Sequence, residues 1–508
     1  MSNLLTVSET LSKPQAFGLS RFLPAFFAGL LMPLSFAPFH FPGAAILGLA
    51  IFYAQIQQDR ARYAFFNGLS FGLGYFGLGI SWVYISIHEY GHLNRIFSAF
   101  ITFLFLSYLS LFPAFVGLIF KKLYTFESKL KAALLFSSLW IAFEFFRATV
   151  LTGFPWLLVG FGQFDSTAKF LLPIFGVYGL SFITCLTACC LVHAVKDLKI
   201  KRYIWLFSLI FLLLAPVSLK GIRWSTESKA PISVGVIQAN LSMRDKWDEN
   251  LFWQLLERYK VNTEQLLGTQ LIVMPESAIP VPASYVEEFL TDLDNKANEK
   301  GSAIMLGIPK PTSSEETNYY NALIGLGLAE GSYLKQHLVP FGEYIPSFLQ
   351  KISARLAIPD ANLKPGTKKQ LLVKVAKHSI ATLICYELAY GDLLRAQLPK
   401  AQWIVSISDD GWFGHSLAMY QQLQMAQVRA LETGRYHVVA NNDGLSAVIN
   451  TLGQITSSLP AFSAGILKAR LFAAEGITPW VRLGDYPILL LSFGLVIFFV
   501  ARSLFDKS

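Results

Sequence analysis

Hydrophobic runs near residues 20–38, 43–57, 63–85, 96–120, 131–147, 168–195 and 203–219, with one more at 486–504, leave this chain little choice of architecture. A helix that crosses a bilayer needs about 20 apolar residues, because the hydrocarbon offers no water to an unpaired backbone. The expected count is about seven spans before residue 220 and one at the C-terminus. The first run is not a cleaved signal peptide, since Ala37-Pro-Phe-His-Phe-Pro42 and further spans follow it directly. Apolar residues make up 53% of the chain and charged residues only 15%, against about 25% charged in an ordinary soluble domain.

The formal charge of +9 raises the question of nucleic acid, but the placement of that charge answers it. With the N-terminus inside, the inner segments carry Lys13 and Arg21, then Arg60 and Arg62, then Lys121, Lys122, Lys129 and Lys131, and finally Lys196, Lys199, Lys201 and Arg202. The opposite loops hold little beyond Arg95 and Lys169. This is a positive-inside pattern, so the lysines and arginines set topology and nucleic acid is not a partner. The expected organisation is a membrane domain over 1–220, an outward-facing domain over 221–480, and a final transmembrane helix with a cytoplasmic tail over 481–508 that carries Arg502 and Lys507. In a Gram-negative bacterium the outer space is the periplasm. Cys185, Cys189 and Cys190 lie inside the sixth run with no His or carboxylate at ligand spacing, and read as helix packing. Glu144 and Arg147 share a helix face just before Thr152-Gly-Phe-Pro-Trp156. Such a pair is either a snorkelling anchor or a functional group, and the aromatic run through Gln163 is expected to line a lipid-facing groove.

From Ile232 the periodicity changes. Strands are expected at Ile232–Gln238, Thr269–Met274, Ala303–Ile308, Asn321–Leu326, Leu371–Val375, at the stretch ending in Cys385, and at Trp403–Ile407, His437–Ala440, Ser446–Ile449 and Gly465–Ala469. Helical spacing occupies Asp248–Leu267, Val286–Lys300, a short stretch near 390–398, and Met419–Arg435. Period-two segments mixed with helices between buried strands argue an α/β sandwich. There is no glycine-rich phosphate loop and no His/Cys metal motif, so neither a metal nor another cofactor is expected.

Three reactive groups fall at strand ends or loops, where rigid elements aim side chains and loops admit substrate. Glu276 follows Val273-Met-Pro, Lys335 precedes the turn-rich run His337–Pro346, and Cys385 ends a buried strand. Cys385 is the only cysteine outside the hydrophobic runs, so nothing in the outer domain can oxidise it to a disulfide. A cysteine nucleophile needs a proton acceptor and a cation beside the developing oxyanion. A carboxylate and an ammonium supply both, and the ammonium also lowers the thiol pKa.

The outer domain resembles the nitrilase or carbon–nitrogen hydrolase superfamily, an αββα sandwich with a Glu-Lys-Cys triad, and the whole chain resembles the apolipoprotein N-acyltransferase family more closely still. The residues that carry this are Pro275-Glu-Ser-Ala-Ile-Pro280, Lys335 with Leu338-Val-Pro-Phe-Gly-Glu-Tyr344, Cys385-Tyr-Glu387, Asp410-Gly-Trp-Phe-Gly414, Gln424-Met-Ala426 with Arg429-Ala-Leu-Glu432, and Trp247. In the membrane part Ser81-Trp-Val-Tyr84 and Thr152–Trp156 also match. The resemblance implies a polytopic α-helical membrane domain joined to an α/β nitrilase-like sandwich domain, in the bacterial inner membrane. It implies Cys385 as nucleophile, Glu276 as general base and Lys335 as oxyanion stabiliser, with Glu343, Tyr386 and Glu387 in support. Trp247 and Trp412 would shape the substrate pocket. The reaction it implies takes an acyl chain from a phosphatidylethanolamine-like phospholipid, through a cysteine thioester, to the α-amine of a diacylglyceryl-cysteine apolipoprotein. A membrane-tethered amidase or nitrilase with the same triad is the alternative. Two positions depart from the family: Asp409 stands where Asn is usual and Val439 where Arg is usual. The segment Ile345–Leu363 reads either as an interfacial lid or as a packed surface helix.

Overall fold

The computed structural model describes residues 19–91, 93–124, 128–197, 201–312, 318–346 and 363–505. Most of the segment considered as a lid, 347–362, lies outside the described residues.

Helices occupy each of the first seven hydrophobic runs: α1 (Leu23–Leu31), α2 (Pro42–Gln58), α3 (Ala61–Gly79), α4 (Arg95–Leu123), α5 (Lys129–Thr149), α6 (Leu172–Lys196) and α7 (Lys201–Leu214). Several of the runs are not single straight helices, the sixth being kinked at Gly176 and the seventh ending in a 3-10 stretch, Ala215–Leu219. The first continues from α1 as a 3-10 turn, Met32–Ser35, where Pro33 supplies no backbone N–H. The third breaks after Gly79, and Val83–Tyr90 leaves at 68° to α3. The break has a partner in the other half of the molecule: Gln421 Nε2 donates to the freed Gly79 carbonyl at 3.0 Å. Among the described residues, Arg95–Leu123, Lys129–Thr152, Thr167–Lys196 and Tyr486–Phe505 are long and apolar enough to cross a bilayer. Close helix approach rests on small residues. At Gly68 of α3 a Cβ would run into the Pro113 carbonyl of α4. Cys185, Cys189 and Cys190 are buried in α6.

Among its described residues the second half holds thirteen strands. They are β1 (Ser225–Gln238), β2 (Leu271–Val273), β3 (Ala303–Pro311), β4 (Tyr319–Gly327), β5 (Ala329–Glu330), β6 (Ser332–Leu334) and β7 (Val373–Val375). Then follow β8 (His378–Ile384), β9 (Trp403–Ser408), β10 (His437–Asn441), β11 (Ala447–Ile449), β12 (Ile455–Ser458) and β13 (Gly465–Gly476). One sheet runs β13-β1-β2-β3-β4-β6 and the other β12-β11-β10-β9-β8-β7-β5. Period-two alternation divides the side chains of each strand between two cores. On β8, Ile380 and Ile384 join the core between the sheets, while Ala381 and Leu383 point the other way.

Helices α8 (Phe252–Glu264) and α9 (Glu287–Glu299) cover the outer face of the first sheet. Helix α10 (Ala418–Thr433) covers the second, and its far side is covered in turn by the membrane helices. That is why α10 is buried almost all round while α8 and α9 keep a polar face. The layers therefore run helix, sheet, sheet, helix, membrane bundle. The last helix, α11 (Tyr486–Phe505), returns to the bundle and packs Phe493 edge-on against Phe145 and Phe146 of α5.

Candidate active site

Cys385 opens a 3-10 turn, Cys385–Ala389, directly after β8, with φ at 53°. The left-handed region is costly for a residue with a Cβ, so something must hold the turn. Glu387 does so. Its buried carboxylate accepts from Ile384 N at 2.9 Å, Gln336 N at 2.6 Å, His337 N at 3.1 Å and the Tyr333 hydroxyl at 3.0 Å. One side chain thus ties the cysteine turn to the segment that follows Lys335. Burial pushes the Glu387 carboxyl up to about 7, against the pull of those three N–H donors.

Lys335 stands immediately after β6, a three-residue strand with no period-two signature of its own, and is only 1% exposed. Its ammonium donates to Glu276 Oε1 at 3.1 Å and to Glu343 Oε1 at 2.9 Å. Asn321, at the start of the inner part of β4, donates to the same two oxygens at 2.7 and 2.9 Å. The second oxygen of Glu276 accepts from Asp409 N at 3.1 Å, and that of Glu343 from Val339 N at 2.7 Å. Both carboxylates are therefore held at each oxygen. Burial alone would push the Lys335 ammonium down, but Glu276 and Glu343 outweigh it and hold the group above the ordinary lysine range.

The Cys385 thiol is pushed up, first by burial and then by Glu276, with Lys335 pulling the other way. The expectation that Lys335 lowers this pKa is right in sign for that one interaction, and the balance goes against it. A thiol becomes nucleophilic as its proton leaves, and Glu276 is the carboxylate whose charge Cys385 feels most strongly.

The Tyr386 ring stacks at 14° to Trp156, and its hydroxyl donates to the Gly153 carbonyl at 3.2 Å. Trp247 is 54% exposed and Trp412 38%, so neither is core packing. The Trp412 turn is gripped by the bent end of the third hydrophobic run: Ser86 Oγ donates to Trp412 O at 2.7 Å and the Tyr90 hydroxyl to Gly411 O at 2.6 Å. The aromatic run after Thr152 does not line a lipid-facing groove. Trp156, Leu157, Leu158, Val159 and Phe161 are all buried, because the run turns inward between the bundle and α10. Glu144 and Arg147 are buried with it and do not snorkel.

Three participants carry no sequence signal strong enough to single them out. Asn321 is a polar residue within a strand that is otherwise apolar. Gln422 on α10 brings its amide to 4.0 Å from Cys385 Sγ. With its N–H2 turned to the Asp410 carboxylate at 2.5 and 3.1 Å, its carbonyl accepts from Ser408 Oγ at 3.2 Å. Lys246, buried, forms an ion pair with Asp409 and donates to the Glu276 backbone carbonyl at 2.9 Å. Among the described residues no group of three or more His, Cys, Asp and Glu side chains is arranged to hold a metal ion.

Comparison with known proteins gives two family matches in one chain. Residues 28–190 match the apolipoprotein N-acyltransferase N-terminal domain, and residues 233–476 match the carbon–nitrogen hydrolase domain. The apolipoprotein N-acyltransferase of Coxiella burnetii is 38% identical over 94% of this chain and 98% of its own. That of Azotobacter vinelandii is 36% identical over 92% of each. Among solved structures, an amidase of the nitrilase superfamily from Nesterenkonia aligns with 51% of this chain and 95% of its own, at 18% identity and a TM-score of 0.36.

Proposed function

The chain belongs to the apolipoprotein N-acyltransferase family, and on that premise we propose that it acylates lipoproteins in two steps through a thioester on Cys385. The observation that carries the proposal is the buried cluster in which Lys335 joins Glu276 and Glu343, with their charges acting on the Cys385 thiol. In the first step Cys385 Sγ attacks the ester carbonyl of a membrane phospholipid while Glu276 takes the thiol proton. Lys335 faces the negative charge that develops on the carbonyl oxygen. The tetrahedral adduct collapses, the glycerol oxygen leaves with the proton from Glu276, and a lysophospholipid departs from the acyl-cysteine.

In the second step the α-amine of a diacylglyceryl-cysteine at a lipoprotein N-terminus attacks the thioester. Glu276 takes a proton from the amine, the C–S bond breaks, and the proton returns to Cys385. Both lipids are bilayer-bound, which gives the membrane helices a physical purpose: they hold the thiol at the depth where those groups arrive. The positive-inside pattern supports a site on the outer face of the inner membrane. A phosphatidylethanolamine-like donor fits a site whose described charged cluster carries two carboxylates to one ammonium, since a zwitterionic headgroup adds no net negative charge.

Purified protein with isotope-labelled phospholipid should form acyl-Cys385, seen by mass spectrometry, and then give a triacylated product on addition of a diacylated lipopeptide. Acyl transfer by Cys385→Ala at the wild-type rate would overturn the mechanism. Acyl-enzyme that yields only free fatty acid in the presence of acceptor would make the protein a hydrolase, as the amidase alternative requires. A reporter fused after residue 220 that proves cytoplasmic would overturn the orientation.

A further inference from the structure

Glu144 and Arg147 take no part in the chemistry above, yet both are buried inside the bundle, one helical turn apart on α5. Ionisable groups at such depth persist only with partners, and here the side-chain hydrogen bonds to backbone groups all go to one loop, while the Arg147 guanidinium also lies over the Phe76 ring. Arg147 Nη1 donates to the carbonyls of Phe154 and Trp156 at 2.8 and 2.6 Å, and Nη2 to that of Leu157 at 3.3 Å. Glu144 Oε1 accepts from Val159 N at 2.8 Å. The cation takes carbonyls and the carboxylate takes an amide, so the two side chains match the polarity of a backbone that forms no regular structure. Beside them the Tyr75 hydroxyl donates to Leu157 O at 2.6 Å.

The loop needs that grip. It is entered through three consecutive residues at positive φ: Leu151 at 51°, Thr152 at 78° and Gly153 at 83°. The first two carry a Cβ, and such backbone persists only where its surroundings over-determine it. At Gly153 a Cβ would run into the Ala148 carbonyl.

The opposite side of the same loop is the seat of the cysteine turn. The Gly153 carbonyl accepts from the hydroxyls of Tyr386 and Tyr390, each at 3.2 Å. The Trp156 indole N–H donates to Gln421 Oε1 at 2.7 Å, and its ring lies against Tyr386. Tyr386 is the residue after Cys385, whose own φ is 53°.

We propose that Glu144 and Arg147 are positioning residues for the reaction at Cys385: from inside the membrane bundle they fix the loop on which Tyr386 and Tyr390 set the nucleophile turn. The proposal rests on Cys385 being the nucleophile. It assigns the bundle a second task beyond anchoring, as one wall of the active site. A displacement of about 1 Å at a reacting group can cost about a hundredfold in rate, so loosening this loop should act on the chemical step and not on lipid capture.

The test uses full-length protein in phospholipid nanodiscs and follows acyl-Cys385 formation by mass spectrometry. Arg147→Lys keeps the charge but loses the fork that reaches three carbonyls. It should lower the maximal rate of acyl-enzyme formation about tenfold or more while the donor KM stays close to wild type. In a Tyr386→Phe background, where the hydroxyl contact to Gly153 is already gone, the same substitution should cost much less, because residues acting through one contact are not additive. A folded Arg147→Lys protein that acylates at the wild-type rate, or losses that simply multiply, would overturn the proposal. Where the lysine variant does not fold, Glu144→Gln decides by the same two measurements. Acyl-enzyme formation by Cys385→Ala would instead sink the nucleophile assignment itself, whatever the Arg147 variants do.

Discussion

Two buried lysines flank Glu276, and they are used in opposite ways. Lys335 meets Glu276 and Glu343 through their side chains, with Asn321 reinforcing the same oxygens, and its charge reaches the Cys385 thiol. Lys246 meets Glu276 only at its backbone carbonyl and spends its charge on Asp409. Asp409 in turn accepts from Gly411 N and Asn442 Nδ2, and Asn442 exchanges hydrogen bonds with the backbone of Leu241. On the proposed mechanism the first lysine holds charge against the reacting atom, and the second holds loops together. Type and burial are the same for both, and the difference lies in which atom of Glu276 each one touches. A buried ion pair is thus no sign of catalysis until its geometry toward the reacting group is known.

Substitutions at the two lysine clusters should separate along that line. Glu276→Gln removes the proton acceptor and should lower acyl-enzyme formation by about a hundredfold to ten-thousandfold, read by the initial rate of thioester appearance. Lys335→Met should lower it by about a hundredfold to a thousandfold through the lost oxyanion charge. It also leaves two buried carboxylates unpaired, so apparent Tm should fall by the equivalent of about 3–5 kcal/mol. Asp409→Asn should show the reverse balance: a stability loss of about 1–3 kcal/mol from an undercompensated Lys246, with acyl-enzyme formation changed much less than by Glu276→Gln. Equal rate losses for Asp409→Asn and Glu276→Gln would break the distinction between the clusters.

The smallest effect is a pH dependence. Burial, with Asp409 beside it, pushes the Asp443 carboxyl up to about 7, and its Oδ1 has no hydrogen-bond partner among the described residues. An acid whose folded pKa lies above its unfolded value keeps a proton in the fold that the unfolded chain has lost. The folded state therefore loses stability as pH rises from about 4 toward 7. Glu387, also pushed up to about 7, acts in the same direction. Asp443→Asn should flatten the apparent Tm between pH 5 and pH 7.5 relative to wild type. An unchanged slope would mean that Asp443 is ionised in the folded protein.

Much of this arrangement is legible in the chain and some of it is not, for identifiable reasons. Strands such as Trp403–Ser408 and His437–Asn441 announce themselves because both faces are buried and the run is mostly apolar. β5, β6 and β12 do not, because two to four residues at a sheet edge cannot show a period. Lys335 follows one of these, so its place after a strand emerges only from pairing with β4. The bend after Gly79 is hidden for a related reason. Hydropathy continues smoothly through Ile80, Trp82 and Val83, and the carbonyl that pays for the break is satisfied by Gln421, 342 residues away.

What the sequence determines by itself is everything that depends on local solvent and local period. The hydrophobic runs must be helices because lipid accepts no unpaired backbone, the change of period at Ile232 must begin a sandwich, and Glu276 and Cys385 stand at the exits of strands. What only the tertiary structure decides is the environment each group meets. Lys246 carries no signal in the chain although it is as buried as Lys335, and the upward push on the Cys385 thiol comes from burial and from a carboxylate more than a hundred residues earlier in the chain. The inward turn of the loop after Thr152 is decided in the same way. Its aromatic residues suit lipid and protein equally well, and the choice between them is made by Arg147, Glu144 and the cysteine turn, which converge on it from three directions.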